Sequence, residues 1–223
     1  MSKSNVLILA DRHLPFVKEG YLEHCKKIYK DYKCTQVVDI GDSVDNCALS
    51  DFEHDPDGLS AGNEYIKALE ASKEWYKAFP TVKACIGNHC DRIFRKARAA
   101  GIPGKMIKSY EEIWEAPKGW KWSEGWEIDG VYYTHGTGLS GSGGGIKLAK
   151  QYRQNCVIGH IHSEAGIQYS ASKKDLIWAL MVGGALDDNS YAAKYAKDQI
   201  KKSIVGCGVV LKGELPLYIP MKL

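Results

Sequence analysis

The sequence NVLILADRH at residues 5–13 runs from an unbroken apolar stretch directly into an aspartate and a histidine. An apolar run of strand length predicts a strand that is covered on both faces, as in a parallel sheet. Two later stretches repeat the arrangement, QVVDIGD at residues 36–42 and TVKACIGNH at residues 81–89. Since ligands gather at the carboxyl ends of parallel strands, the polar residues after these strands are expected to share one edge of a sheet.

Amphipathic helices are predicted between these strands. Apolar residues recur at spacings of three and four in two stretches, first Val17, Tyr21, Cys25, Ile28, Tyr29 and Tyr32, then Tyr65, Leu69, Tyr76 and Phe79. Such spacing gives a helix one apolar face to pack against a sheet, and Pro80 ends the second helix. The alternation of strand and helix predicts an α/β fold with parallel strands.

The second half of the sequence has a different character. A basic helix at residues 92–100 ends at a Gly- and Pro-containing segment, and short strands dominate afterwards. Strands are predicted at 126–128, 131–134, 155–158, 166–169, 176–182, 204–211 and 215–219, and helices at 146–153 and 191–202. Asp129-Gly130 predicts a hairpin. No linker or repeat interrupts the pattern, so residues 1–223 are expected to form one domain.

Five clusters of potential metal ligands follow predicted strands. They are Asp11-Arg-His13, Gly41-Asp42-Ser-Val-Asp45, Gly87-Asn88-His89, Thr134-His135-Gly136 and Gly159-His160-Ile-His162. Asp11 and His13, and likewise His160 and His162, are two residues apart at a strand end, so the side chains of each pair are expected to face one side. Carboxylate and imidazole ligands suit Mn, Fe or Zn and disfavour Ca or Mg as sole occupants. Ligands from several loops can hold two adjacent divalent cations, and two-metal sites hydrolyse phosphate esters.

Each cluster taken alone has an ordinary explanation. Asp11 can be a capping residue beside a stray histidine, Asn88 can be a turn residue, and His135 can lie on the surface at a strand end. The occurrence of all five clusters in one chain favours a metal site over these alternatives.

The order of the clusters resembles the pattern of the calcineurin-like metallophosphoesterases, which runs D-x-H, G-D-x-x-D, G-N-H-[D/E], a lone His, then G-H-x-H. The resemblance extends from Asp11 to His162, about two thirds of the chain. It departs at Cys90, where the family usually has an acid. The Gly-Gly-Ala-Leu run at residues 183–186, followed by Asp187, Asp188 and Tyr191, is weakly similar to small phage and bacterial members.

The resemblance implies a four-layer sandwich of two mixed β-sheets flanked by helices, with a di-metal site at the strand carboxyl ends. It makes Asp42 the ligand that bridges two divalent cations, drawn from Mn, Fe, Zn or Ni with Mn favoured. The ligands of the first cation would be Asp11, His13 and His162 with Asp42, and those of the second would be Asn88, His135 and His160 with Asp42.

His89 has a different role in the resembled family, above the phosphate rather than on a metal. It would act there as general acid or stabilise the leaving oxygen, which needs an imidazole pKa near working pH. Asp45 would bond the other ring nitrogen and favour the charged form. The implied reaction is in-line attack on phosphorus by a metal-bridging hydroxide, without a covalent enzyme intermediate.

The substrate class implied by the motifs is a phosphate ester. The G-H-x-H motif resembles the phosphodiesterase side of the family, and Asn46 replaces the arginine of the protein-phosphatase form G-D-x-V-D-R-G. A phosphodiesterase acting on a cyclic nucleotide, a nucleotide or a nucleic-acid diester is therefore favoured. A phosphomonoesterase of the protein-phosphatase kind, a nucleic-acid-processing module and an inactive relative remain alternatives.

Composition sets the broader class. The 223 residues are 44% hydrophobic and 26% charged, as in an ordinary globular protein, and the formal charge of +3 is too small to argue for nucleic acid or membrane. No apolar run is long enough to span a bilayer and the amino terminus lacks a signal-peptide pattern. Seven cysteines without C-x-x-C spacing predict buried, reduced thiols in a cytoplasmic protein. The oligomeric state is not predicted.

Three further features carry weaker predictions. The Gly-rich segment at residues 140–145 is equally compatible with a lid, a phosphate cradle and a surface turn. Arg12 is expected in a structural ion pair rather than on substrate. The tryptophans between the third and fourth clusters are expected in the core, with base stacking as the alternative; they are Trp114, Trp120, Trp122 and Trp126.

Overall fold

The structure is a computed structural model that describes residues 3–51, 55–190, 192–193 and 202–222. Its first sheet has the strand order β11-β10-β1-β2-β3-β4. The strands are β1 Asn5–Leu9, β2 Gln36–Asp39, β3 Val82–Cys85, β4 Trp120–Ser123, β10 Gly206–Leu211 and β11 Leu215–Pro220. Strands β1 to β4 are parallel, while β10 and β11 are antiparallel to their neighbours, so the sheet is mixed.

The second sheet is also mixed and has the order β5-β6-β7-β9-β8. Its strands are β5 Gly125–Ile128, β6 Val131–Thr134, β7 Asn155–Ile158, β8 Ala165–Ala171 and β9 Leu176–Val182. Strands β6, β7 and β9 are parallel to one another, and β5 and β8 are antiparallel at the two edges. The hairpin between β5 and β6 is confirmed, since Asp129 and Gly130 both have positive φ angles, 52° and 80°.

Helices cover the outer faces of both sheets. They are α1 Tyr21–Asp31, α2 Ala61–Ala78, α3 Arg92–Ala99, α4 Tyr110–Ile113 and α5 Gly144–Tyr152, with short 3₁₀ helices at Cys47–Leu49 and Gly104–Met106. Alternate residues of the second sheet face opposite ways: Val157 and Leu180 join the main core, whereas Cys156 and Ala179 pack in a separate cluster with Ala149 of α5. The predicted architecture of two mixed sheets flanked by helices is confirmed.

The ends of most predicted elements lie within about two residues of the observed ends. The largest difference concerns which residues of α2 form its buried face. Its buried face consists of Glu64, Ala68, Ser72 and Trp75, while Tyr65, Leu69 and Tyr76 are only half-buried. Glu64 is on this face because its carboxylate accepts hydrogen bonds from the backbone of Cys47 and Ala48, at 2.7 and 2.8 Å. The helix predicted at residues 191–202, with its lysine face of Lys194, Lys197, Lys201 and Lys202, falls almost entirely outside the described residues.

The tryptophans belong to the core, as predicted. Trp114 and Trp120 are buried, and Trp122 and Trp126 pack against the same core while half-buried. Trp120 donates its indole N–H to the carbonyl oxygen of Phe79 at 2.8 Å. Within the described part of the chain, no helix combines the length and the apolar character that crossing a membrane requires.

Candidate metal centre

The five predicted ligand clusters converge where the loops after β1, β2, β3, β6 and β7 meet. Hydrogen bonds join these loops directly. The backbone N–H of His13 donates to the carbonyl oxygen of Asp42 at 2.8 Å, and that of His89 donates to Asp42 Oδ1 at 2.8 Å. The backbone N–H of His160 donates to Asp11 Oδ2 at 2.7 Å, which links the second sheet to the first. The carboxylates therefore fix the relative positions of the loops that supply the other ligands.

Asp11, His13 and His162 form a first cluster, whose ligand atoms lie within 4.8 Å of one another. His162 Nε2 is 3.1 Å from both Asp11 Oδ2 and His13 Nε2. His13 Nδ1 donates to Asp45 Oδ2 at 2.8 Å, so its Nε2 lone pair faces the cluster. This is the arrangement of a metal-binding histidine, whose second nitrogen is held by a carboxylate or a carbonyl group.

Asp42, His135 and His160 form a second cluster of the same dimensions. His135 Nε2 is 3.1 Å from Asp42 Oδ2 and 3.0 Å from Asn88 Oδ1. His135 Nδ1 lies 3.3 Å from the carbonyl oxygen of Ile40, its hydrogen-bond acceptor, which again leaves Nε2 to face the carboxylate and the amide oxygen. All seven residues predicted as ligands are thus brought together, three in one group and four in the other.

The donor set fits divalent cations. Asp11 Oδ1 is buried and has no hydrogen-bond partner, although a buried carboxylate oxygen ordinarily has one. Burial alone would raise the pKa of the Asp11 carboxyl, but His135 and His162 outweigh it and lower that pKa, which favours the ionised form. A buried anionic oxygen without a hydrogen-bond partner, 3.8 Å from His135 Nδ1, is a site that a cation completes.

The protonation states support the same assignment. Burial lowers the pKa of His13 and of His160, so both are favoured as neutral ligands. Burial would also lower the pKa of His135, but the carboxylates of Asp42 and Asp11 raise it to about 9. This shift favours the protonated form of His135 when no metal is bound, and a bound cation would supply the positive charge in its place.

Turns, rather than the predicted strand alternation, aim these ligands. Strand β1 ends at Leu9 and β7 ends at Ile158, before the residues concerned. His13, Asp42 and His160 have φ angles of 50°, 43° and 66°, a left-handed conformation that residues with a side chain rarely adopt. Strand alternation was predicted to place Asp11 with His13, and His160 with His162, on one face. That explanation was wrong, because His13 and His160 lie in turns after the strands. Strained backbone of this kind is common at functional sites.

Two glycines allow the ligand loops to approach one another. A Cβ at Gly87 would lie 2.0 Å from Asp42 Oδ1, and one at Gly159 would lie 2.2 Å from Asp11 Oδ1. Both distances are far shorter than van der Waals contact, so these positions exclude a side chain while the carboxylates keep their places. Close packing against the ligand carboxylates therefore explains why the G-N-H and G-H-x-H patterns contain glycine at these positions.

Replacing Gly87 with Ala should therefore displace the Asp42 carboxylate and weaken metal binding. We expect the variant to bind at least about tenfold less tightly, with a cost in folding free energy of about 1–3 kcal/mol for overpacking. Gly62→Ala is the matched control, because a Cβ there meets nothing within 4 Å in helix α2. Metal titration and thermal melting of both variants measure the effects, and unchanged affinity in Gly87→Ala would contradict the packing argument.

His89 and Asp45 meet, but not in the simple pairing predicted. The Asp45 carboxylate makes its shorter contact with His13, whereas its Oδ1 is 3.5 Å from His89 Nδ1. His89 Nδ1 is closer to the backbone carbonyl oxygen of Asp45, at 3.1 Å. Burial would lower the pKa of His89, but Asp42 and Asp45 outweigh it and raise that pKa, as a proton donor requires. One carboxylate therefore serves two imidazoles whose ring centroids are 4.6 Å apart.

Arg92 is a part of the site that the sequence analysis missed. It is the first residue of α3 and is 9% exposed. Its guanidinium group donates hydrogen bonds to the carbonyl oxygens of Asp45 and Asn46. The sequence assigned it only to a basic helix. Its position three residues after His89, across the turn that precedes α3, was the available signal.

Other residues near the motifs have structural roles. Arg12 is buried in an ion pair with Asp39, and its guanidinium lies over the ring of Trp75 at 4.5 Å, so the predicted structural ion pair is confirmed. Cys90 is buried and burial raises the pKa of its thiol to about 12, which leaves it unreactive. Burial likewise raises the pKa of Cys47 to about 12.

An open cleft of about 590 Å³ lies over the two clusters. Its floor includes Asp42, Asn88, His89, His160 and His162. Its walls include residues 139–141 at the start of the Gly-rich segment, and Leu186, Asp188 and Lys202 from the carboxyl-terminal part of the chain. The Gly-rich segment is divided: its first part lines the cleft, whereas Gly144 and Gly145 are buried in the first turn of α5. A substrate larger than inorganic phosphate has room here.

Comparisons with known proteins give distant structural likenesses. No protein-family model matches the chain, and no curated protein sequence does so. Vacuolar protein sorting 29 from Cryptosporidium parvum aligns over 99% of this chain and 100% of its own, with 12% identity and a TM-score of 0.46. The E. coli phosphoesterase YfcE aligns over 92% and 87%, with 12% identity and a TM-score of 0.44. The Pseudomonas putida nuclease MPE aligns over 96% and 87%, with 15% identity and a TM-score of 0.40.

Proposed function

We propose that this protein is a metal-dependent phosphoesterase that binds two divalent cations. The observation that carries the proposal is that two adjacent ligand clusters reach the floor of one cleft, the first through His162 and the second through Asp42 and His160. Asp11, His13 and His162 would hold one cation, and Asn88, His135 and His160 the other. Asp42, which contacts the second cluster, is assigned the bridging position. Mn is the favoured metal, with Fe, Zn and Ni as the other candidates for this mixed oxygen and nitrogen donor set.

Cations held at these positions would supply charge neutralisation for the phosphate oxygens and a water of lowered pKa. The chain supplies the rest. Asn88 contributes a neutral amide oxygen, which adds a ligand without adding negative charge near the phosphate. The anionic ligands Asp11 and Asp42 are buried, so bulk water does not screen them. The ligands thus place most of their negative charge beneath the cleft floor and leave the open side for an anionic substrate.

His89 is proposed as the proton donor to the leaving oxygen. It lines the cleft, and its Nδ1 is occupied by the carbonyl oxygen of Asp45. Its Nε2 is therefore the atom that would hold and deliver the proton. The nearby carboxylates of Asp42 and Asp45 favour the charged imidazole, which is the form that can donate.

The proposed substrate is a phosphodiester, either a small ester or a nucleotide. Asn46 stands where the protein-phosphatase pattern has an arginine, and its side chain donates to the carbonyl oxygen of His89 at 3.0 Å, so it holds the loop instead of binding phosphate. The tryptophans offered as base-stacking residues are in the core, which weakens the nucleic-acid alternative. The seven buried or half-buried free cysteines are compatible with a cytoplasmic location, which stays part of the proposal.

We expect kcat/KM for bis-p-nitrophenyl phosphate to exceed that for p-nitrophenyl phosphate at saturating Mn. A diester has only one ionisable oxygen, whose charge the two metals and His89 can meet without an arginine at residue 46. The cleft walls at Ser140 and Gly141 leave room for the second ester group. Steady-state kinetics on both substrates, together with cyclic nucleotides and oligonucleotides, tests this. A monoester preference of tenfold or more, ~1.4 kcal/mol of transition-state binding, would indicate a phosphatase instead.

A further inference from the structure

Arg92 connects the proposed proton donor to the loop that carries Asp45. Its Nη1 donates to the carbonyl oxygens of Asp45 and Asn46 at 2.9 and 3.3 Å, and lies 3.3 Å from Asp45 Oδ1. Its Nη2 is 3.4 Å from His89 Nε2. A guanidinium group that is nine-tenths buried thus contacts three acceptors of one turn and one imidazole of another.

The backbone reinforces this connection. The N–H of Arg92 donates to the carbonyl oxygen of His89 at 3.2 Å, as the first turn of α3 begins. The same carbonyl accepts from Asn46 Nδ2 at 3.0 Å. His89 is therefore fixed through its carbonyl group by Asn46 and Arg92, and its Nδ1 is fixed by the carbonyl group of Asp45, while the Arg92 guanidinium borders the Nε2 edge of the ring. Among the described residues, those that line the cleft include His89 but not Arg92.

We propose that Arg92 is a positioning residue for phosphoester hydrolysis, which acts on the substrate only through His89. It holds the Asp45–Asn46 turn and the His89 imidazole in one arrangement, so that the ring presents the same nitrogen to the cleft in every turnover. The planar fork of arginine suits this role because it reaches both loops at once, whereas a lysine ammonium group is a single point charge. The inference rests on the proposed role of His89 as proton donor.

A double-mutant cycle tests whether Arg92 works through His89. Arg92→Gln, His89→Ala and the double variant are compared for kcat on a diester with a poor leaving group, with metal content measured in each. We expect Arg92→Gln alone to reduce kcat about tenfold with two metals retained, and to cost less than about twofold in the His89→Ala background. Arg98→Gln, an exposed arginine of the same helix paired with Asp91, should change neither value.

The alternatives give different results. An equal loss from Arg92→Gln in both backgrounds would show a general structural role and overturn the inference while leaving the function of His89 intact. Full activity of His89→Ala would instead refute the proton-donor role and the inference with it, whereas metal content and the diester assay would still report on the two-metal hydrolase.

Arg92→Lys covers the case in which the glutamine variant does not fold. It keeps a cation beside the carbonyl groups of the turn but loses the second arm of the fork. We expect a folded protein with two metals and a reduced kcat on the poor leaving group. Wild-type kcat in this variant would contradict the inference, because retention of charge alone would then be sufficient.

Discussion

Asp42→Asn should lose both divalent cations and reduce turnover by roughly 10³-fold, since metal stabilisation of the transition state amounts to several kcal/mol. Asparagine is the stringent substitution. It has the size of aspartate and its side-chain oxygen can still accept the hydrogen bond from the backbone N–H of His89 that Asp42 Oδ1 accepts now. The loss would therefore report the missing charge rather than a collapsed loop. Asp31→Asn, an exposed acid on α1 paired with Lys27, is the matched control and should keep full metal content.

The number of ions lost distinguishes two roles for Asp42. Its Oδ2 contacts the second cluster, at 3.1 Å from His135 Nε2. A bridging carboxylate belongs to both cations, so its loss should release both. If elemental analysis finds one ion retained, Asp42 is a terminal ligand of the second site. Two ions and normal turnover in Asp42→Asn would rule out the proposed centre.

The positions of the ligand residues after the strands could be predicted from the sequence because they depend on short local patterns. Apolar runs of strand length followed by glycine and a ligand residue place the ligand at a sheet edge, and Asp42 and Asn88 lie there as predicted. Parallel strand order then brings together the loops of each sheet, and packing of the two sheets joins the two sets of loops. Elements with strong local signals, such as the Asp129-Gly130 hairpin, were predictable for the same reason.

The features that could not be predicted from the sequence depend on tertiary contacts. The period-two argument for His13 and His160 was wrong because both residues lie in left-handed turns beyond their strands. Glu64 took a core position on α2 because two backbone N–H groups of another segment satisfy its carboxylate. Arg92 was overlooked because its local signal, a spacing of three residues from His89, does not by itself predict burial beside an imidazole.

Asp45 was correctly predicted to lie beside His89, but its contact with His13 was not predicted. The sequence paired it with His89 alone, yet the carboxylate also binds His13. Burial would raise the pKa of Asp45, but hydrogen bonds from His13 and His89 hold it well below the usual range for a carboxyl group. This one anion orients both a proposed metal ligand and the proposed proton donor. Substitutions at Asp45 would therefore disturb two functions at once, and His89 is the better residue with which to isolate proton transfer.

Replacing His89 with Ala should leave two metals bound and reduce the rate by roughly 10²–10⁴-fold on substrates with basic leaving groups. The loss should shrink as the leaving group becomes more acidic, because an acidic alcohol or phenol departs without protonation. A series of aryl phosphodiesters with graded leaving-group pKa, assayed beside elemental analysis, measures both quantities. His24→Ala is the control, since His24 lies on α1 and contacts the carbonyl oxygen of Ile219 away from the cleft.

Two other results would assign His89 differently. An equal loss across the whole series would mean that the imidazole stabilises negative charge on the phosphate without transferring a proton. Loss of a metal would make it a ligand, which the geometry allows because His89, His13 and Asp45 also lie within 4.8 Å of one another. We expect neither, since its Nδ1 is occupied by the carbonyl group of Asp45 and its Nε2 lies beside the guanidinium group of Arg92. A nitrogen beside a fixed guanidinium group is a poor place for a metal ion, and the same positive charge favours release of a proton that the nitrogen carries.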